Sequence, residues 1–226
     1  MLFDIDGTLI DSNYLHVDAW TRAFEAVGAP VDAWRVHRAI GLDSAKLLDE
    51  LLGDRADDEE LVAAAKERHT DEYEALQPRL RRFEGARELI EHLHDRGIRV
   101  VLATSAPPEE FEVLSRVLDA DASLHAATTA DDVETAKPEP DIIGSALERA
   151  GVEPEEAVMI GDTRWDAVAA LRAGVRPIGV LSGGIAEAEL RDAGASAVFT
   201  DVAAILESLR AEGLEALGAD ARPAAT

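Results

Sequence analysis

Two aspartates stand close together near the start of the chain, in the segment Leu2-Phe3-Asp4-Ile5-Asp6-Gly7-Thr8-Leu9. They follow a short apolar run that indicates a buried strand. Burying a carboxylate without a partner costs several kcal/mol, so a functional role is a natural explanation. At the carboxyl end of a parallel strand, side chains open into the crevice where ligands bind. Two such groups can bind a hard divalent cation through oxygen, or one can attack an electrophile while the other moves a proton. An acidic turn is the plain alternative, since Asp-Gly is common in turns.

Polar residues also follow two later apolar runs. One run ends at the hydroxyl residues Thr104 and Ser105, and a later one leads into Gly161-Asp162-Thr163-Arg164-Trp165-Asp166. Each group alone has an ordinary explanation, because hydroxyl and carboxylate side chains often cap helices. At the ends of neighbouring strands, however, they would face the same crevice as the first two aspartates.

Lys137 is the only lysine outside residues 15–76. It precedes Pro138, which favours an extended conformation of the lysine. A surface charge is the ordinary explanation, but a single lysine on a stiff loop among many acids is what a phosphate site needs. Taken in this order along the chain, the acidic, hydroxyl and lysine residues favour a phosphate site.

The second half of the chain alternates between helix-like stretches that end at glycine and short apolar runs. The stretch 86–96 ends at Gly97 and is followed by the apolar run 98–103. The same order recurs before further runs at residues 157–160, 175–181 and 197–199. Glycine suits the left-handed end of a helix, and short β-branched runs between helices indicate buried parallel strands. The sequence therefore predicts an α/β fold with a Rossmann-like parallel sheet and helices on both faces.

Residues 15–76 differ, because apolar residues recur there at helical spacing and no strand is evident. We therefore predict an all-helical insertion after the first strand, with Trp20, Phe24 and Trp34 in its core. Only three residues precede Asp4, so the first strand should be short. The predicted boundaries are residues 1–13 and 80–212 for the α/β core, 14–79 for the helical insertion and 213–226 for a flexible Ala- and Gly-rich tail.

The composition excludes several classes of protein. The 226 residues include 46 acidic and 22 basic side chains and no cysteine, which rules out a disulfide-stapled domain and a thiolate metal site. No apolar run reaches the roughly 18 to 20 residues that cross a bilayer, and no secretory signal is evident, so we expect a cytoplasmic protein with no membrane partner. A net charge of -24 repels nucleic acid. The acidity indicates either a solvated surface or adaptation to high salt, where screening removes self-repulsion.

In their order and spacing, these motifs resemble those of the haloacid dehalogenase (HAD) superfamily of phosphohydrolases. The matching segments are Asp4-Ile5-Asp6-Gly7-Thr8, Thr104 with Ser105, Lys137, and Gly161-Asp162-Thr163-Arg164-Trp165-Asp166. The resemblance spans nearly the whole chain and is greatest to the phosphoglycolate-phosphatase-like subgroup with an α-helical cap. The dehalogenases of the superfamily lack an aspartate at the position of Asp6, so the resemblance implies a phosphatase.

The resemblance also implies a mechanism. Asp4 would attack phosphorus and form an aspartyl-phosphate, while Asp6 would protonate the leaving oxygen and then deprotonate the attacking water. Thr104 and Lys137 would hold the transferring phosphoryl group, because an anion can attack a phosphate only if charge repulsion is cancelled. The implied ligands of Mg2+ are Asp4, Asp6 through its backbone carbonyl, Asp162, and Asp166 directly or close by. Further phosphate donors would be Ser105 and the backbone amides around Gly7 and Thr8.

Substrate choice would come from the cap. Arg38 could hold a substrate carboxylate, although a cation at the end of a helix explains it slightly better, and His16 could line the entrance or lie at the surface. We expect the partner to be a small phosphorylated metabolite, with phosphoglycolate as the default, and the protein to be a monomer or homodimer. A β-phosphosugar mutase and a non-catalytic binding relative stay open as alternatives.

Overall fold

The computed structural model describes residues 1–133, 135 and 137–218. The chain divides into two compact units. The core unit comprises Met1–Asp11 and Arg81–Thr226, and the helical unit comprises Ser12–Leu80. The boundaries predicted from the sequence, 13/14 and 79/80, lie one or two residues away from these. None of the helices in the described ranges has the length and apolar character needed to cross a membrane.

The helical unit contains the helices α1 (Asn13–Ala26), α2 (Ala33–Ala39), α3 (Ser44–Leu52) and α4 (Glu59–Leu76). The long helices α1 and α4 pack along each other. Asp43 and Asp58 begin α3 and α4, and their side chains accept hydrogen bonds from backbone N–H groups of the first turn, as a helix N-cap requires. Trp20 and Phe24 lie in the apolar core of this unit, as predicted.

Trp34 corrects the sequence prediction, because it is 64% exposed. The buried face of α2 is formed by Val36 and Ala39. Trp34 precedes Val36 by two residues, which places it roughly 200° around the helix axis. The size and apolarity of the side chain predicted burial, whereas its position on the helix directs it away from the core.

The core unit is built on a six-stranded sheet. Its strands are β1 (Leu2–Phe3), β2 (Val101–Ala103), β3 (Ala126–Thr128), β4 (Val158–Gly161), β5 (Arg176–Val180) and β6 (Ala197–Phe199). Their order is β3-β2-β1-β4-β5-β6, and every neighbouring pair is parallel. The chain extends the sheet to one side of β1 and then crosses to the other, and such a switch point is where open α/β sheets bind ligands. The predicted Rossmann-like sheet is confirmed.

The helices of the core unit are α5 (Ala86–His94), α6 (Pro108–Leu118), α7 (Asp141–Ala150), α8 (Arg164–Arg172), α9 (Glu187–Asp192) and α10 (Val202–Glu212). Leu2 and Met159 share an apolar cluster with side chains of α7 and α8. Phe3 and Ile160, which alternate with them along the strands, are also fully buried. Because successive side chains of a strand point to opposite faces, the sheet is covered on both sides.

The first part of the predicted flexible tail is ordered. Residues Gly213–Leu217 form a 3-10 turn that packs against α10, and Leu217 is fully buried. The Ala- and Gly-rich composition predicted fraying, but one buried leucine is enough to fix this turn against the helix. Residues 219–226 lie outside the described part of the chain.

Candidate active site

Asp4 extends β1 by one residue at the carboxyl edge of the sheet. Its backbone N–H donates to the carbonyl of Ile160 in β4 (2.9 Å), and only 7% of the residue is exposed. The chain then turns tightly around the buried Ile5, whose carbonyl oxygen accepts a hydrogen bond from the N–H of Leu9 (2.8 Å). Gly7 permits this turn, because its φ of 72° lies in the left-handed region that other residues rarely adopt.

A capping box at the start of α8 fixes the side chain of Asp166. Its Oδ2 atom accepts hydrogen bonds from the backbone N–H (3.0 Å) and the hydroxyl (2.6 Å) of Thr163, which satisfies two donors at once. Gly161 makes room for this carboxylate, because a Cβ at that position would lie 2.5 Å from Cγ of Asp166. The other carboxylate oxygen, Oδ1, faces Lys137.

Lys137 joins two carboxylates in the interior. Its ammonium group forms one buried ion pair with Oδ1 of Asp4 and another with Oδ1 of Asp166 (2.7 Å), and the lysine is 1% exposed. Burial by itself would lower the pKa of Lys137, but the carboxylates of Asp166 and Asp4 outweigh this effect and raise it. Lys137 therefore stays positively charged at physiological pH.

The negative charge of this cluster exceeds what one lysine neutralises. Burial raises the pKa of Asp4, the charge of Lys137 lowers it, and the surrounding carboxylates raise it further. A carboxylate oxygen from each of Asp4, Asp162 and Asp166 lies within 4.8 Å of the others, and all three residues are buried. Clustered carboxylate oxygens with surplus negative charge are the donor set that a hard divalent cation such as Mg2+ prefers. The residues present therefore fit the metal that the resemblance implied.

Asp162 is fully buried after the last residue of β4. Its Oδ1 atom accepts a hydrogen bond from the hydroxyl of Thr8 (2.9 Å), which links the Asp4 loop to the end of β4 and fixes the carboxylate. Among the described residues, the carboxylate of Asp6 is not part of this cluster. That placement is compatible with the expected use of its backbone carbonyl.

Thr104 and Ser105 follow β2 at the same edge of the sheet. Thr104 is fully buried, and its Oγ1 accepts a hydrogen bond from the N–H of Ala106 (3.1 Å), which leaves the hydroxyl hydrogen to donate. The Oγ atom of Ser105 is buried and has no hydrogen-bond partner within the described ranges. Because β1 and β2 are parallel neighbours, both hydroxyl groups belong to the edge that carries Asp4.

A model of the haloacid dehalogenase-like hydrolases matches residues 1–174. The matched segment includes the Asp4 loop, Thr104, Lys137, Asp162 after β4 and Asp166 in the first turn of α8. The chain belongs to the haloacid dehalogenase-like hydrolases. The resemblance found in the sequence is thereby confirmed at the level of the family.

Relatives and solved structures cover most of this hydrolase. It is 30% identical over 178 residues to the phosphorylated carbohydrates phosphatase of Thermotoga maritima, covering 79% of this chain and 82% of the relative. It is 31% identical over 191 residues to the validoxylamine A 7'-phosphate phosphatase of Streptomyces hygroscopicus subsp. limoneus, covering 83% of this chain and 87% of the relative. A solved hydrolase from Pseudomonas syringae is 35% identical, with a TM-score of 0.88, and the match covers 93% of this chain and 97% of that chain.

Two backbone groups expected to bind phosphate are engaged elsewhere in the hydrolase. The N–H of Gly7 donates to the carbonyl of Ile10 (2.8 Å), and the N–H of Thr8 donates to that of Ile5 (3.2 Å). In this structure these amides are satisfied inside the tight loop, and their use as phosphate donors stays a prediction. The sequence showed that the loop is short, but it did not show which of its N–H groups form hydrogen bonds within the turn.

The two predicted substrate residues of the cap lie in the helical unit. His16 belongs to α1 and stacks on Tyr73, with ring centroids 3.9 Å apart, and its Nδ1 lies 3.3 Å from Nε2 of His69. Arg38 lies in the last turn of α2, where a cation suits the helix dipole. The role of both residues in substrate binding stays a prediction.

One segment that contacts the carboxylate cluster was not predicted from the sequence. The β5 loop, residues 181–184, follows β5, and it brings Ser182 to Gly7 and Gly183 to Asp162. A signal was present, because the apolar run 175–181 is followed directly by Ser182-Gly183-Gly184. Ligands bind at the carboxyl ends of parallel strands, and this holds for β5 as it does for β1, β2 and β4.

Proposed function

We propose that this hydrolase is a Mg2+-dependent phosphatase that acts on a small phosphorylated metabolite through an aspartyl-phosphate. The observation that carries the proposal is the buried contact between Asp4 and Lys137 beside the carboxylates of Asp162 and Asp166. A carboxylate can attack an anionic phosphate ester only if their mutual repulsion is offset, and this cluster supplies a lysine and a place for a divalent cation. The two relatives compared above, both named as phosphatases, support the same class of reaction.

The bond changes can be assigned to Asp4 and Asp6. A carboxylate oxygen of Asp4 forms a bond to phosphorus as the bond from phosphorus to the ester oxygen breaks, and that oxygen takes a proton from Asp6. Asp6 then accepts a proton from water, whose oxygen bonds to phosphorus while the bond to Asp4 breaks. Phosphate leaves and both side chains return to their starting state. Asp6 suits this role because it is half-buried and follows Asp4 by two residues on the same loop.

The other residues of the cluster would position and stabilise the phosphoryl group. Lys137 and the hydroxyls of Thr104 and Ser105 would donate to its oxygens, where negative charge is distributed during transfer. Asp166 would hold the ammonium of Lys137 in place through its Oδ1 atom. When bound by Asp4, Asp162 and Asp166, Mg2+ would neutralise charge on the phosphoryl group and on the attacking carboxylate.

The first test is hydrolysis of p-nitrophenyl phosphate with Mg2+ and with excess EDTA. We expect activity that EDTA removes and that Asp4→Asn lowers by about 10⁴-fold or more, as loss of a nucleophile does elsewhere. Asp192→Asn, which changes an exposed aspartate at the end of α9, is the matched control and should retain wild-type turnover. Metal-dependent turnover in Asp4→Asn close to the wild-type rate would remove the nucleophile assignment.

A second measurement addresses the substrate and the reaction type. A panel of phosphorylated metabolites, including phosphoglycolate and sugar phosphates, is assayed at low and high salt for release of inorganic phosphate. A phosphatase releases phosphate in step with substrate loss. A β-phosphosugar mutase instead yields an isomeric sugar phosphate without free phosphate, and a non-catalytic relative yields neither product.

A further inference from the structure

The β5 loop lies against the carboxylate cluster because of the order of strands in the sheet. β5 is the parallel neighbour of β4, with Gly179 beside Gly161, so the chain leaves β5 at the edge where Asp162 follows β4. The loop is held at both ends. The N–H of Leu181 donates to the carbonyl of Phe199 (3.1 Å), and the N–H of Gly184 donates to that of Leu181 (3.0 Å).

Gly183 approaches the carboxylate of Asp162 more closely than any other residue type could. A Cβ at this position would lie 2.5 Å from Cγ of Asp162 and would overlap its Oδ2 atom. The backbone of Gly183 does not lie in the left-handed region, which holds other glycines of the chain. Space alone therefore requires glycine here. The hydroxyl of Thr8 donates a hydrogen bond to Oδ1 of Asp162, and Gly183 packs against Oδ2. The carboxylate of Asp162 is therefore held from two sides.

Ser182 connects the same loop to the segment that carries Asp4. Its hydroxyl donates to the backbone carbonyl of Gly7 (2.6 Å), a residue 175 positions earlier in the chain. Gly7 is the residue at which the chain turns after Asp6. Adjacent residues of the β5 loop thus contact both of the segments that supply carboxylates to the cluster.

We propose that the β5 loop is a positioning element of the metal centre, in which Gly183 fixes the carboxylate of Asp162 and Ser182 fixes the loop that carries Asp4. The inference rests on the proposed function, because that function requires a divalent cation at these carboxylates. Both residues act through a neighbour: Gly183 acts through the side chain of Asp162, and Ser182 acts through the carbonyl of Gly7. Groups that orient metal ligands in this way control metal affinity without contacting the metal.

Gly183→Ala tests the first half of the proposal, because its methyl group forces Asp162 to move. Mg2+ binding to the full chain is measured by isothermal titration calorimetry without substrate. We expect the Kd for Mg2+ to rise by about 10- to 100-fold. The Mg2+ concentration that gives half-maximal activity should rise in parallel, while KM for p-nitrophenyl phosphate at saturating Mg2+ stays unchanged. A role in folding alone would lower the fraction of active protein and would leave the Kd unaltered.

Ser182→Ala tests the second half without adding volume. Loss of one hydrogen bond is expected to raise the Kd for Mg2+ by about two- to tenfold. Gly144→Ala is the matched control for the added methyl group. Gly144 lies in α7 without a left-handed φ, and among the described residues no atom beyond its chain neighbours and the backbone of its own helix lies within 4 Å of its Cβ position. Its Kd should equal that of the wild type.

The outcomes distinguish a failure of the positioning role of the β5 loop from a failure of the proposed Mg2+-dependent function. Wild-type Mg2+ affinity in folded Gly183→Ala overturns the proposal. If that variant does not fold, wild-type affinity in Ser182→Ala overturns it instead. If the unaltered chain shows no saturable Mg2+ binding, the proposed function fails first and takes the positioning role with it.

Discussion

The long side chain of Lys137 carries a positive charge to two carboxylates in the interior. The ammonium group contacts Asp4 and Asp166 in the interior, and 1% of the residue is exposed. Removal of the lysine would leave both buried carboxylates without this counter-charge. Breaking a buried ion pair by removing one partner costs about 3 to 5 kcal/mol, far more than the loss of an exposed pair.

Replacement of Lys137 by methionine separates the charge of the side chain from its length. We expect Lys137→Met to lower the free energy of unfolding in EDTA by about 3 to 5 kcal/mol, measured by urea denaturation. The kcat for p-nitrophenyl phosphate should fall by at least about 100-fold, as it does when a charge-stabilising group is lost. Lys66→Met, at a half-buried position of α4 outside the carboxylate cluster, is the control and should change neither quantity. Equal kcat values in the two variants would contradict the role proposed for Lys137.

Residue types in the sequence predicted which side chains could do chemistry, but not how each is held. The placement of Asp4 near Asp166 follows from β1 and β4, whose apolar runs were evident in the sequence. Lys137 lies on the loop before α7 and was assigned from its residue type and from the resemblance. Gly183 could not be recognised in this way, because a glycine in the sequence does not show which atom it makes room for. Only the register of β5 against β4 brings it to Asp162.

At the scale of elements, the strands that were predicted are those with apolar, β-branched residues between glycine-ended helices. β3 was missed, because Ala126-Ala127-Thr128 has little intrinsic preference for a strand. It is a strand because β2 offers a parallel edge, with Val101 beside Ala126. Pairing of this kind depends on residues distant in the chain, and a local pattern cannot show it.

The helical unit contains a row of stacked rings between α1 and α4. Tyr73 stacks on His16, and His69 stacks on Trp20 with ring centroids 4.0 Å apart. The two imidazoles meet in the middle, with 3.3 Å between Nδ1 of His16 and Nε2 of His69. Burial, with a smaller contribution from His16, lowers the pKa of His69 to about 2, so that His69 is neutral in the folded protein at physiological pH.

The neutral state of His69 predicts a loss of stability in mild acid. The unfolded chain protonates this histidine below pH about 6.5, whereas the folded protein does so only near its lowered pKa of about 2. The contribution of His69 to the free energy of unfolding is therefore fully present above pH about 6.5. It decreases as the pH falls, by about 1.4 kcal/mol between pH 7.5 and 5.5. Urea unfolding of the full chain at pH 7.5 and pH 5.5 measures this decrease in the free energy of unfolding. Both pH values lie above the pI of about 4.5.

His69→Phe keeps a ring against Trp20 and removes the titrating group, so its unfolding free energy should lose this part of the pH dependence. His94→Gln, which changes an exposed histidine of α5, should keep the wild-type dependence. An unchanged pH dependence in His69→Phe would show that another group is responsible. Resonances of the His69 imidazole that titrate above pH 5.5 in NMR spectra would lead to the same conclusion.

At the scale of the whole molecule, 46 acidic side chains stand against 22 basic ones. The described ion pairs at the surface include Arg22 with Asp18, Arg81 with Asp11 and Arg191 with Glu187. Each pair joins one acidic and one basic side chain and therefore leaves the acidic excess unchanged. Exposed pairs contribute about 0 to 1 kcal/mol each, and their attraction is screened by salt as effectively as the repulsion. Net repulsion among the excess carboxylates is therefore the larger electrostatic effect on folding.

Stability should consequently rise with salt. An increase from 0.01 M to 1 M KCl shortens the Debye length from about 30 Å to about 3 Å, which removes repulsion between carboxylates that are not in contact. We expect the Tm, measured by calorimetry in EDTA so that no divalent cation binds the cluster, to increase most steeply at low salt and then to level off. Stabilisation by exclusion of salt from the protein surface would instead keep growing with concentration. A Tm that stays constant from 0.01 M to 1 M KCl would show that water solvates the acidic side chains well enough without screening, and adaptation to high salt would then be the wrong interpretation of the charge.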